Sequence, residues 1–254
     1  RPSPVSRFNS ITDYQVKNIY VKLYIMTKII ILIACLSMSY FLLPSYASAE
    51  IMSNNLNNES QPSQSLQLVT LDSPEHCVLR TPAKTIEFPL DSETQQFIRD
   101  LQSFFHDLKS PLGSPAGLAA PQVGYGLRII IIQIPESAKA RRKDVYEVVP
   151  PTVLINPSYT PVETAGESKD WEGCFSVPGK MGEVYRYNEI HYTAYTPEGK
   201  QISAVAHGFL ARLIQHEVGH LNAELYIDRL RPDCRYDSVE NVMKMLKATT
   251  EKSE

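Results

Sequence analysis

The stretch Phe209-Leu210-Ala211-Arg212-Leu213-Ile214-Gln215-His216-Glu217-Val218-Gly219-His220-Leu221 decides how this chain folds. Phe209, Leu213, His216 and His220 fall on one stripe at helical spacing, with Leu210, Ile214, Val218 and Leu221 beside it, which predicts a largely buried helix. Within it, His216 to His220 reads HExxH. The i, i+4 spacing puts both imidazoles on one face, where they can share a cation, and leaves Glu217 next to them. Chance can produce three fixed positions in five. Burying two imidazoles and a carboxylate with no metal is costly, however, and that favours metal binding.

Two imidazoles do not complete a site. A metzincin continuation fails, because Ala223 and Tyr226 stand where Gly and His would be. A thermolysin-like site needs a later Glu, and Glu240 lies at a plausible distance, although an acid opening an amphipathic helix also suits the helix dipole. The other candidate is Cys174, in Trp171-Glu172-Gly173-Cys174-Phe175-Ser176.

Outward from this helix the pattern alternates between strands and helices. Arg128-Ile129-Ile130-Ile131-Ile132-Gln133-Ile134 predicts a buried strand, and Val153-Leu154-Ile155-Asn156-Pro157 a short one stopped by Pro157. Ile190 to Tyr195 and Gln201 to Val205 read as strands joined by the turn sequence Thr196-Pro197-Glu198-Gly199. A helix from Asp91 uses Phe97, Ile98, Leu101, Phe105 and Leu108, and is broken by Gly113 and Pro115. A last amphipathic helix runs from about Ser238 to Thr250. Glu136 to Glu147 is charged and predicts a surface loop.

Before the folded part lies a different composition. Residues 1–49 hold Arg1, Arg7, Lys17, Lys22 and Lys28 against Asp13 alone, so the acidic balance lies entirely in the remainder. Met26-Thr27-Lys28, the apolar run Ile29 to Leu43 and the small-x-small Ala47-Ser48-Ala49 together predict a signal segment cleaved before Glu50, hence export. The apolar run is shorter than the ~20 residues a membrane span needs, so no stable membrane insertion is expected after cleavage. Leu32-Ile33-Ala34-Cys35 resembles a lipoprotein cleavage box and ranks second, with a cytoplasmic location behind it. The stretch before Met26 reads as an upstream extension. Glu50 to Gln67, rich in Asn, Ser and Gln, predicts a flexible leader.

With a net charge of −3 there is no general electrostatic case for nucleic acid. Past the leader, Cys77, Cys174 and Cys234 are an odd number, so in an oxidising compartment one thiol stays without an internal disulfide partner. A metal-bound Cys174 would account for it, and would leave Cys77 and Cys234 free to pair. His76, His106, His191 and His207 have no matching partner pattern and predict surface or satisfied core positions. Trp171 predicts core packing beside the cysteine.

Three motifs in order, Gly117-Leu118-Ala119-Ala120-Pro121-Gln122, Glu172-Gly173-Cys174-Phe175-Ser176 and His216-Glu217-Val218-Gly219-His220, resemble those of peptide deformylases. The similarity runs from about Leu71 to about Leu230. It implies an α+β fold in which antiparallel strands wrap the helix carrying HExxH, with a C-terminal helix, over residues 68–254. It also implies one divalent metal, Fe²⁺ or Zn²⁺, held by Cys174, His216 and His220. Glu217 would move the proton, and the Gln122 amide with the Phe175 backbone N–H would stabilise the oxyanion. Gly117 and Leu118 would line an N-formyl-methionyl peptide, whose formyl group is removed as formate. The alternatives are an endopeptidase using Glu240 and an idle formyl-peptide binder.

Four positions depart from that pattern: Pro115 for a glycine, Phe175 for leucine, Gly219 for the aspartate of HExDH, and Ala223 for a glycine. None removes a ligand, acid/base or oxyanion residue. The missing aspartate ordinarily pairs with an arginine at the place of Arg186. Here Arg186 is left to water or to another carboxylate.

Overall fold

The computed structural model describes residues 65–109 and 114–250. The signal-like segment, Cys35 and most of the Glu50–Gln67 leader fall outside them. Among the described residues eight strands form two antiparallel sheets. The larger has the order β1-β2-β3-β6-β7, from Gly117–Ala119, Ile129–Ile134, Val149–Pro161, Glu189–Tyr195 and Gln201–His207. The smaller has the order β4-β5-β8, from Glu167–Cys174, Val177–Tyr187 and Tyr236–Ser238. Among the described residues three α-helices accompany them: α1 Ser92–Asp107, α2 Gly208–Leu221 and α3 Val239–Thr250.

Strand β2 shows why the larger sheet is sandwiched. Its run of isoleucines is buried on both faces, as a strand covered from both sides must be. Ile130 and Ile132 turn towards Leu210, Leu213, Ile214 and Val218 of α2. Ile129 and Ile131 turn the other way, towards Phe97, Ile98, Leu101 and Phe105 of α1. The period of two along the strand thus joins two cores. Asp91 caps α1, its carboxylate accepting from Thr94 N at 2.7 Å.

Helix α2 packs against β1, β2 and β7 of the larger sheet and β5 of the smaller, the expected α+β arrangement of strands around the HExxH helix. Its C-terminal end closes as a Schellman motif: Glu224 N donates to Gly219 O at 2.9 Å and Ala223 N to His220 O at 3.2 Å. Ala223 occupies the left-handed position of that motif, at φ 65°.

The structure corrects two expectations and adds a hairpin that the sequence did not predict. Strand β3 does not stop at Pro157 but continues to Pro161. Its register shifts between Ile155 and Ser158, and this bulge absorbs a residue that has no N–H for the ladder. Asn156 takes φ 50° there, while its side chain bonds both the N–H and the C=O of Ile86. The stretch around Cys174 is a hairpin: β4 and β5 pair from Glu167↔Tyr187 to Cys174↔Val177, with Phe175 and Ser176 as the turn. Trp171 is only half-buried, with the Arg235 guanidinium 5.1 Å over its ring.

Candidate metal centre

Three elements deliver the site. Helix α2 supplies His216, Glu217 and His220 on its inner face, and the end of β4 supplies Cys174. A 3₁₀ turn, Ala120–Val123, supplies Gln122. The register shift between Gly173 and Cys174 marks where the hairpin breaks its regular pairing, and there the thiol joins the imidazoles. The ligand atoms of Cys174, His216 and His220 lie within 4.8 Å of one another, and Cys174 Sγ is 3.4 Å from His220 Nε2. Among the described residues this is the one such group of histidine, cysteine or carboxylate atoms.

Glu240 does not join them. It opens α3 with its side chain 76% exposed and pairs with Lys244 at 2.7 Å. His76, His106, His191 and His207 are all exposed. Cys77 and Cys234 are free thiols.

The ring of His216 is held from behind. Its Nδ1 lies 2.8 Å from Glu172 Oε2, leaving Nε2 for the centre. Glu172 in turn accepts Arg186 Nε at 3.0 Å and Nη2 at 2.9 Å, and Arg212 Nη1 at 2.8 Å. Arg186 has therefore found another carboxylate in place of the missing aspartate. Burial works against ionising Glu172, but the charge of Arg186 and the bonds from His216 and Arg186 hold its pKa far below the usual carboxylate range. Neither Glu172 nor Arg212 was assigned a role from the sequence. Arg212 left a trace there, as the one cation in an apolar helix, a turn before His216.

The electrostatics suit a cation. Burial alone would lower His216, yet hydrogen bonds to Cys174 and Glu172 raise it to about 10. Burial and the positive charge of His216 push His220 well below its ordinary value. A cysteine sulfur with two imidazoles is a donor set that suits a divalent transition metal.

The remaining residues surround this cluster. Glu217 is 3% exposed, and burial pushes its carboxyl up to about 7; its Oε2 has no partner among the described residues. Gly117 abuts it so closely that a Cβ there would lie 2.3 Å from Glu217 Oε1. Gln122 accepts Ala119 N at Oε1, 2.9 Å away, which turns Nε2 towards Cys174 Sγ at 3.3 Å. Leu118 is fully buried in the α1-side core, so only its backbone, on edge strand β1, can face a ligand. The Phe175 side chain packs against the same core.

Residues 66–236 match the family model described as polypeptide deformylase. Over 181 residues the chain is 42% identical to Peptide deformylase 2 of Rickettsia conorii, covering 70% of this chain and 87% of that protein. A crystal structure of a peptide deformylase from Synechococcus elongatus in complex with actinonin matches with a TM-score of 0.53 and 36% identity, over 68% of this chain and 84% of that one. The Met-Ala-Ser-bound class I type b peptide deformylase from Acinetobacter baumannii matches with a TM-score of 0.55 and 26% identity, over 66% and 99% of the two chains. A cysteine thiol and two imidazoles beside a buried carboxyl group and an aimed amide, together with these matches, give one conclusion: the chain belongs to the polypeptide deformylase family.

Proposed function

We propose that this protein hydrolyses the N-formyl group of formyl-methionyl peptides, releasing formate and a free α-amine, with Cys174, His216 and His220 holding one Fe²⁺ or Zn²⁺. The observation that carries this reading is the convergence of Cys174, His216 and His220 with Glu217 and Gln122 around one point. Bound there, the metal supplies Lewis acidity and a hydroxide equivalent near neutral pH. The chain's own residues do the rest. Glu217, with a raised pKa and an unpartnered oxygen, takes the proton from water and returns it to the leaving amine as the C–N bond breaks. Gln122 Nε2 and the Phe175 N–H stabilise the charge that builds on the formyl oxygen. The substrate backbone lies along the edge of β1, at Gly117 and Leu118.

Export completes the reading, supported by the basic start at Met26, the apolar run to Leu43 and Ala47-Ser48-Ala49. An oxidising compartment makes Fe²⁺ with a thiolate fragile and favours Zn²⁺ there. Fractionation tests the location: a chain beginning at Glu50 outside the cytoplasm is expected, and an intact chain inside would overturn it.

Purified protein given formyl-Met-Ala-Ser tests the reaction. Stoichiometric formate and Met-Ala-Ser are expected. Cleavage of internal peptide bonds without formate indicates an endopeptidase, and binding without turnover an idle binder.

A further inference from the structure

Gln122 acts through a single nitrogen, and the structure shows what steadies it. Ala119 N–H must meet an oxygen, so its bond to Oε1 fixes which end of the amide is which. Nε2 then has two hydrogens and two acceptors, Cys174 Sγ and Ser176 Oγ, each at 3.3 Å. Ser176 is fully buried, and its own proton is committed, because Oγ donates to Val69 O at 2.9 Å. The hydroxyl therefore presents only lone pairs to Gln122. The Val69 segment is itself tied down: Val69 N donates to Gln122 O at 2.8 Å and Leu71 N to Ser176 O at 3.0 Å.

Both Nε2 hydrogens are thus occupied before a substrate enters, and they are not equivalent. The one on the sulfur faces the centre, and the one on Ser176 faces away into the protein. We propose that Ser176, braced by the Val69 carbonyl, is the positioning residue of the Gln122 amide: it keeps one N–H fixed so that only the other moves from the Cys174 sulfur to the substrate oxygen as charge develops. This division of labour rests on the deformylase reading given above. It makes Val69, more than fifty positions before Gln122 in neither strand nor helix, part of what aims the oxyanion donor.

The test uses the full chain, loaded with metal for kinetics and with Co²⁺ for spectroscopy. Ser176→Ala, with Ser176→Gly as a second truncation, is expected to lower kcat for formyl-Met-Ala-Ser by about tenfold with KM little changed, less than the 10²–10³ for deleting an oxyanion donor outright. In a Gln122→Leu background the same truncations should add nothing, since residues acting through one another do not add. The sulfur-to-cobalt charge-transfer band should move to lower energy in Ser176→Ala, in the same direction as is expected for Gln122→Leu, because a loosened amide no longer holds its N–H on the sulfur. A full tenfold loss persisting in the Gln122→Leu background, or a band unmoved by Ser176→Ala, would overturn the proposal. If the wild type releases no formate, the deformylase reading fails, and the cobalt band alone decides the positioning role: a shift supports it and no shift overturns it.

Discussion

Glu172 Oε2 stands 2.8 Å from His216 Nδ1, and this contact determines which nitrogen of His216 faces Cys174. The same carboxylate carries both buried guanidinium groups, Arg186 and Arg212. One side chain therefore orients a candidate metal ligand and bridges two buried guanidinium groups. Glu172→Gln should weaken metal affinity about 10–100-fold, as loss of a ligand's orienting partner does. It should also destabilise the fold by roughly 3–5 kcal/mol by leaving buried charge unpaired. Chelator competition and denaturant unfolding measure the two. Unchanged affinity would show that His216 needs no partner.

Glu217 gives the metal-free protein a pH dependence. Its pKa is raised by burial from the ordinary 4.5 to about 7, so the native state holds that proton more tightly than the unfolded chain. The stability this contributes is complete below pH 4.5 and is lost as pH rises through 7. Glu217→Gln, which stays neutral, should therefore stabilise metal-depleted protein by roughly 3 kcal/mol above pH 7 and by little at pH 4. Unfolding in chelator at the two pH values checks the sign. The same variant should abolish formate release.

Gly117 leaves no room beside that carboxylate. With a Cβ 2.3 Å from Glu217 Oε1 and 2.9 Å from its Cγ, and β1 held by its pairing to β2, Gly117→Ala must push the acid aside. A displacement of this size costs about 10² in rate. The expected result is a kcat lower by about a hundredfold with one metal ion retained per chain. An unchanged kcat would mean that this contact does not place the acid.

The end of α2 has its glycine and alanine where the helix would favour the reverse. Gly219 lies in the last turn, where a Cβ would meet only Glu224 at 3.6 Å, an ordinary contact. Gly219→Ala should stabilise by about 1 kcal/mol through helix propensity. Ala223, at φ 65°, carries left-handed strain. Ala223→Gly should relieve it for a net gain of about 0.5–1 kcal/mol, after the extra freedom of glycine in the unfolded chain. Each appears as a rise of about 2 °C in Tm. A fall in either would place the helix end in a different geometry.

How much of this was legible beforehand varied with the physics of each segment. Helix α2 announced itself because its apolar stripe and its two histidines share one period. Strand β2 did so because four consecutive β-branched isoleucines in a short run suit a doubly buried strand. The β4–β5 hairpin stayed hidden. Glu167-Ser168-Lys169-Asp170 shows no alternation, since the outer face of that sheet is stabilised by polar stacking, as in Arg231 over the Tyr185 ring at 4.2 Å. Pro157 misled because a bulge accommodates it. Cys174, His216, His220, Glu217 and Gln122 were recognisable as motif residues. The roles of Glu172, Arg212 and Ser176 were not, because each depends on a partner at least 14 positions away in the chain.

The account stands or falls on Cys174 completing the centre. Elemental analysis of protein prepared without air, as wild type, Cys174→Ala and Glu240→Ala, tests that most directly. One Fe or Zn per chain is predicted in the wild type and in Glu240→Ala, and none in Cys174→Ala. One ion per chain retained by Cys174→Ala would contradict it.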